Sequence, residues 1–173
     1  MEDSTVWNGH GGVAIGSYTN GGMKDVLVRN VSFNGTEDGI RFKSAVGRGG
    51  VVQDIYFDNL QMQNIQDYAF SMNANYNNQS PATGSLTSLQ YVPQFQNISV
   101  NNLIVDYAGQ AIRITGLAYA PISNISFNNV TFKAAHQYAI VDADNVSMHN
   151  VSYQQATELG AVYHYGISGP GPE

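Results

Sequence analysis

The stretch that decides the fold is "QNISVNNLIV" (residues 96–105), because "SNISFNNVTF" (123–132) repeats five of its ten residues and its apolar pattern. Three more segments superpose on this pair: "KDVLVRNVSF" (24–33), "QDIYFDNLQM" (53–62) and "DNVSMHNVSY" (144–153). The shared pattern is Asp or Asn, an aliphatic, any residue, an apolar, any residue, Asn, an aliphatic, any residue, an apolar. A second short motif follows each segment: "GIRF" (39–42), "AFSM" (69–72), "AIRI" (111–114), "AIVD" (139–142) and "AVYH" (161–164); "GVAI" (12–15) opens the series. Alternation with a period of two over three to five residues means short strands that bury one face. The central Asn30, Asn59, Asn102, Asn129 and Asn150 break that alternation at one fixed place. Asn tolerates the left-handed backbone and hydrogen-bonds through its amide. Stacked at about 4.8 Å per coil, these residues are predicted to form a buried asparagine ladder in a bend between two strands.

A unit that cannot bury its own apolar face must stack on its neighbours. The expectation is therefore an all-β chain, a right-handed parallel β-helix of about six coils, forming one domain over residues 1–165. Residues 73–94, "NANYNNQSPATGSLTSLQYVPQ", interrupt the period and read as a polar loop excursion of the kind that frames a binding face. The closing "GISGPGPE" (166–173) reads as a disordered tail. The sequons at Asn30, Asn129 and Asn150 are by-products of the repeat and are expected to carry no glycan.

Composition agrees with this architecture. The 173 residues include 18 Gly and are only 12% charged, and they are rich in Asn, Ser, Val and Ile, as expected of strands with many turns. The absence of Cys excludes disulfides and thiolate metal sites. No apolar run is long enough for a membrane helix, and "MEDSTVWNGHGG" (1–12) has neither the basic region nor the apolar core of a secretory leader. A net charge of −6 argues against nucleic acid as a partner. Within this acidic chain, however, five of the seven basic residues (Lys24, Arg29, Arg41, Lys43, Arg48) fall between 24 and 48, which suggests a local site for an anionic ligand.

The candidate site follows from the alternation. In "GIRFK" (39–43), Ile40 and Phe42 point inward, so Arg41 and Lys43 point outward side by side. Alignment of the coils puts Ala14 and Gly16 one coil below them, Ser71 and Asn73 one coil above, and Arg113 and Thr115 one further. Gly12, Ala14 and Gly16 are expected to form an outward floor of small residues, with His10 continuing the row, so that a ligand can lie against the backbone. Arg offers a bidentate fork for a carboxylate and Lys a point charge. The pair alone is equally consistent with two solvent-facing cations, and His10 alone with a turn histidine. "GHGGVA" (9–14) fits a Gly-x-Gly-x-x-Ala dinucleotide fingerprint, but that motif must open a helix and "SYTNGG" (17–22) is a turn. His136, His149 and His164 fall at different repeat positions, and Asp142, Asp144 and His149 read as solvated or capping groups. No metal or cofactor is expected.

The run "GHGGVAIGS", "GGMKDVLVRNVSF", "GTEDGIRFKS", "GRGGVVQDIYFDNLQM" resembles glycoside hydrolase family 28, the polygalacturonases and related pectin hydrolases. The resemblance covers about residues 8–76, with repeat-level similarity beyond. It implies that His10 lies beside the catalytic acids, that Arg41 and Lys43 grip the galacturonate carboxylate next to the scissile bond, and that Tyr76 in "MNANY" is a subsite tyrosine. It also implies polygalacturonate or a related acidic polysaccharide as partner, and an extracellular or periplasmic location.

The chain departs from the family in two ways. Phe42 stands where the family usually has Ile, an inward and conservative change. The family's Asn-Thr-Asp and Asp-Asp motifs, which carry the catalytic carboxylates upstream of Gly-His-Gly, do not occur in these residues. Glu37 and Asp38 are the only acids near the cations, and as neighbours on a turn they are expected to diverge. Three functions remain open: a substrate-binding half-cleft inactive alone, a hydrolase completed by oligomerisation or by another chain, and a non-enzymatic carbohydrate-binding or structural solenoid. Self-association through the N-terminal coil is a further expectation.

Overall fold

The computed structural model describes residues 1–157. Among these residues nine strands are formed: β1 Glu2–Trp7, β2 Gly11–Gly16, β3 Val26–Asn34, β4 Asp38–Lys43, β5 Val51–Gln63, β6 Ile65–Asn73, β7 Gln94–Thr115, β8 Ile122–Val141 and β9 Ala143–Gln155. Every pairing between named strands is parallel. One pairing path runs β1–β3–β5–β7–β8–β9. A second runs β2–β4–β6–β7, and the later part of β8 extends it. Each of the first five coils thus contributes one segment to each path, and β9 adds a sixth segment to the first path, which is the parallel β-helix. "GHGGVA" leads into strand β2 and not into a helix, so a dinucleotide fingerprint is ruled out. The "AVYH" motif and the tail 166–173 lie outside the described residues.

The registers turn the repeat into columns. Val26, Ile55, Ile98, Ile125 and Val146 stack in one column, and Val31, Leu60, Leu103, Val130 and Val151 in another. A further column, Phe33–Met62–Val105–Phe132–Tyr153, runs beside them. Phe42 packs on three rings: Phe57 at 6.1 Å, Phe70 at 6.1 Å and Phe95 at 5.8 Å between centroids. It is fully buried, and burial of such a side chain stabilises by about 1.5–3 kcal/mol. That burial also holds the flanking Arg41 and Lys43 outward.

The asparagine ladder forms, with two corrections. Asn59 donates to Asn30 (2.9 Å), Asn129 to Asn102 (3.2 Å) and Asn150 to Asn129 (2.9 Å), while Asn30 donates to Asp3 (3.0 Å). Asn102 turns aside to Asp58 at 2.7 Å, so the column has one diverted rung. Second, the ladder is exposed and not buried. All five residues have φ between 51° and 56°. The position therefore selects Asn because the corner needs a left-handed residue, and the side-chain amides donate at the surface to one another or to Asp3 and Asp58. A second ladder at the leading Asp/Asn of the repeat follows the same logic: Asn97 donates to Asp54, Asn124 to Asn97 and Asn145 to Asn124.

Coil length also varies at both ends of its range. The step is 29 residues between β3 and β5, 43 between β5 and β7, and 27 between β7 and β8. Between β8 and β9 it falls to 21, because the loop that closes the other coils shrinks to the single left-handed Asp142. The long step holds the expected excursion. It packs Leu89 against the core, and its Tyr91 and Leu86 help line an open cleft of about 430 Å³ with Gly21, Gly22, Gly49 and Gly50.

Candidate functional site

The outward row is placed as the alternation predicts. Ala14 pairs with Arg41 and Gly16 with Lys43; Ser71 and Asn73 follow, then Arg113 and Thr115. Gly12 departs from the expected floor. A Cβ there would sit 2.7 Å from Cγ of Phe33 and 2.8 Å from the Gly39 carbonyl, so Gly12 faces the core and makes room for a buried ring. Gly16 has φ of 111° and lies against the Lys43 backbone carbonyl, where no side chain fits. The small residues after His10 therefore answer two demands: close approach of neighbouring coils, and open space in front of Ala14.

Arg41, Lys43 and Tyr76 line one cavity of about 210 Å³, together with Asp38, Tyr68 and Arg113. The Tyr76 ring is the common neighbour of three cations: the Lys43 ammonium at 5.1 Å, the Arg48 guanidinium at 5.6 Å and that of Arg41 at 5.9 Å from its centroid. Tyr76 belongs to the short 3-10 turn Tyr76–Asn78 at the start of the excursion. That turn is fastened by Asn75, whose amide donates to Asn73 Oδ1 (2.8 Å) and whose Oδ1 accepts from the Ser80 amide (3.0 Å).

Glu37 and Asp38 do not diverge; both reach Arg41. Asp38 Oδ2 lies 3.1 Å from Arg41 Nε, and Glu37 Oε1 lies 3.8 Å from Nη1. Asp38 also accepts from Ser71 Oγ (3.2 Å) and the Tyr68 amide (3.3 Å). Because Asp38 opens β4, its side chain sits at a corner and turns into the wall of the site. Burial pushes its carboxyl up to about 6, against the opposing pull of Arg41 and Ser71. Asp67, from the next coil, completes an acidic group around Arg41. Its carboxyl is also pushed up, mainly by burial and then by Glu37.

His10 stands outside the cavity lining but is joined to it. Its Nδ1 lies 2.6 Å from Glu37 Oε2, and its side chain is 94% exposed. One carboxylate thus holds His10 and touches Arg41.

Two participants escaped sequence reasoning. For Asp67 the missed signal is the coil alignment, which sets it opposite Glu37; in the structure its amide donates to the Glu37 carbonyl. Arg48 was visible only as part of the basic cluster; it stacks between Tyr76 and Tyr18, each at 5.6 Å, with Nε and Nη2 buried without a hydrogen-bond partner. Among the described residues, no group of His and carboxylate side chains has the arrangement of a metal site, and no helix is long and apolar enough to cross a membrane.

Comparison with known proteins places this site in context. Residues 1–147 match the sequence model of glycosyl hydrolases family 28. A probable polygalacturonase of Vitis vinifera is 32% identical over 127 residues, which are 71% of this chain and 24% of that protein. An exo-poly-alpha-D-galacturonosidase of Dickeya chrysanthemi is 29% identical over 164 residues, 92% of this chain and 27% of that one. Among solved structures, a hyperthermoactive exopolygalacturonase from Thermotoga maritima superposes with a TM-score of 0.75 at 25% identity, covering 86% of this chain and 33% of that one. The chain therefore spans about a quarter of the length of the curated relatives it matches.

Proposed function

The chain belongs to glycoside hydrolase family 28, and from that premise we propose that these residues form the uronate-gripping half of a galacturonan-cleaving cleft. The observation that carries the reading is the cavity in which Arg41 and Lys43 project side by side beneath Tyr76. Arg41 is aimed by Asp38 and Glu37, so its planar fork is held in place before a ligand arrives. Lys43 has no carboxylate partner among the described residues and supplies uncompensated positive charge. Together they suit the carboxylate of a galacturonate unit.

The acids of this site hold other residues and do not themselves perform hydrolysis. An inverting glycosidase needs a proton donor and a base set about 6.5–9.5 Å apart across the sugar. Asp38 has the raised pKa of a donor, but the burial that raises it also hides it from a glycosidic oxygen. Glu37 is engaged by His10. The 173-residue chain alone is therefore expected to bind acidic oligosaccharides and to turn them over negligibly. Galacturonan is met outside the cytoplasm, so the same proposal places the protein in an extracellular or periplasmic setting.

The test is calorimetric titration with digalacturonate beside a reducing-sugar assay on polygalacturonate. Arg41→Ala is expected to weaken binding about tenfold or more, since a hydrogen bond to a charged group contributes about 1.5–3 kcal/mol. Robust hydrolysis lost in both Arg41→Ala and His10→Ala would favour a second reading. In that reading the cleft is completed by another copy or chain, and the outer edges of β1 and β2, unpaired among the described residues, are its observation. Failure to bind any galacturonide would leave a structural solenoid.

A further inference from the structure

We propose that Arg113, oriented by Tyr68, holds a second uronate of the same polysaccharide chain, two coils along the helix axis from Arg41. The inference rests on the reading of Arg41 and Lys43 as a uronate site and extends it.

Arg41, Ser71 and Arg113 are successive rungs of one outward row. Buried Ile112 and Ile114 flank Arg113 and force it outward. Two steps of about 4.8 Å separate the Arg41 and Arg113 backbones by about 9.6 Å. That spacing is within reach of two carboxylates on one polysaccharide chain. The intervening rung is a serine, so no bulky side chain divides them, and both line the same cavity.

Charge pairing singles out the same residue. Four of the seven basic residues have a carboxylate neighbour: Lys24 with Asp25, Arg29 with Glu2, Arg41 with Asp38, and Lys133 with Asp106. The other three, Lys43, Arg48 and Arg113, have none among the described residues. Lys43 and Arg113 line the cavity, and Arg48 stacks on the tyrosine that helps to line it. In a chain of net charge −6, these cations without counter-ions gather on one face.

Arg113 has a neutral support instead. Its Nη1 donates to the Tyr68 hydroxyl at 2.7 Å, and its guanidinium lies 5.5 Å from the centre of that ring. The phenol fixes the direction of the side chain without cancelling its charge. Tyr68 also lines a neighbouring groove of about 370 Å³ with Gln66, Gln110, Tyr107 and His136. The surface next to Arg113 thus carries amides, rings and one carboxylate, Asp67, groups that hydrogen-bond hydroxyl-rich ligands.

The experiment is a chain-length series: digalacturonate and pentagalacturonate titrated into the 173-residue chain, Arg113→Ala, Arg113→Lys and Arg41→Ala. Expected is about a five- to tenfold loss of pentagalacturonate affinity in Arg113→Ala, corresponding to one charge-assisted contact. Digalacturonate affinity is expected unchanged, with partial recovery in Arg113→Lys and a loss that shrinks at high salt. Equal pentagalacturonate affinity in the parent and Arg113→Ala, with binding weakened in Arg41→Ala, overturns the second uronate contact and leaves the first site standing. Absence of binding of either ligand by the parent chain overturns both.

Discussion

Asp38 shows how one side chain can hold a site together while opposing the fold that contains it. Its carboxyl titrates near 6 in the folded chain, against 3.8 for an unburied aspartate. Below pH 3.8 both folded and unfolded states carry the proton, and the group is neutral in each. Between 3.8 and about 6 the unfolded chain gives up the proton while the folded chain retains it, so stability falls as pH rises through that window. Above it the cost is constant. The predicted consequence concerns a difference between proteins, because other acids titrate in the same range. The stability of Asp38→Asn relative to the parent should rise by about 3 kcal/mol between the two limits. Urea denaturation of both proteins across this range checks it, and a flat difference would refute the assignment. The charged form is retained near neutrality because it aims Arg41.

At the scale of the coil, the corner residue does two jobs that substitution can separate. Asn59 joins the two halves of β5 with φ of 53° and links β5 to β3 through Asn30 at 2.9 Å. A left-handed backbone costs an ordinary residue about 1–2 kcal/mol, and an exposed amide hydrogen bond contributes about 0.5–1.5 kcal/mol. Asn59→Ala should therefore lower stability by about 2–3 kcal/mol. Asn59→Gly, which accepts the backbone freely, should lose the bond alone and fall about half as far. Chemical denaturation midpoints distinguish the two; equal losses would mean that the backbone conformation contributes nothing. The Phe42 ring cluster acts on the same element from inside, and leaves Arg41 and Lys43 no face but the outer one.

For the whole molecule, the edges matter most. Among the described residues β1 and β2 each have one parallel neighbour, so their outer edges present backbone groups unpaired there, and Trp7 beside them is 67% exposed. Such an edge is a template for pairing with another chain. The isolated 173-residue chain is expected to sediment as species larger than a monomer, with a population that grows with concentration. A single monomer species whose first coil is protected from hydrogen exchange would count against this.

The sequence by itself determined the solenoid, because stacked coils impose the same inward pattern on every repeat and so write it into the chain several times over. It also determined that Arg41 and Lys43 share the outer face, and which residues lie above and below them, since alternation and coil alignment are local properties. Tertiary structure decided the rest. That Glu37, Asp38 and Asp67 converge on Arg41 depends on the direction of a corner, which alternation does not specify. That Arg48 reaches Tyr76 depends on the path of two loops outside the repeat. Gly12 faces Phe33 and not a ligand because the ring and the Gly39 carbonyl close on it from the next coil, and the asparagine ladder faces solvent because a left-handed corner places its amides outside the core. A repeat records what every coil shares; the site is made where coils differ, and those differences become contacts only once the coils are stacked.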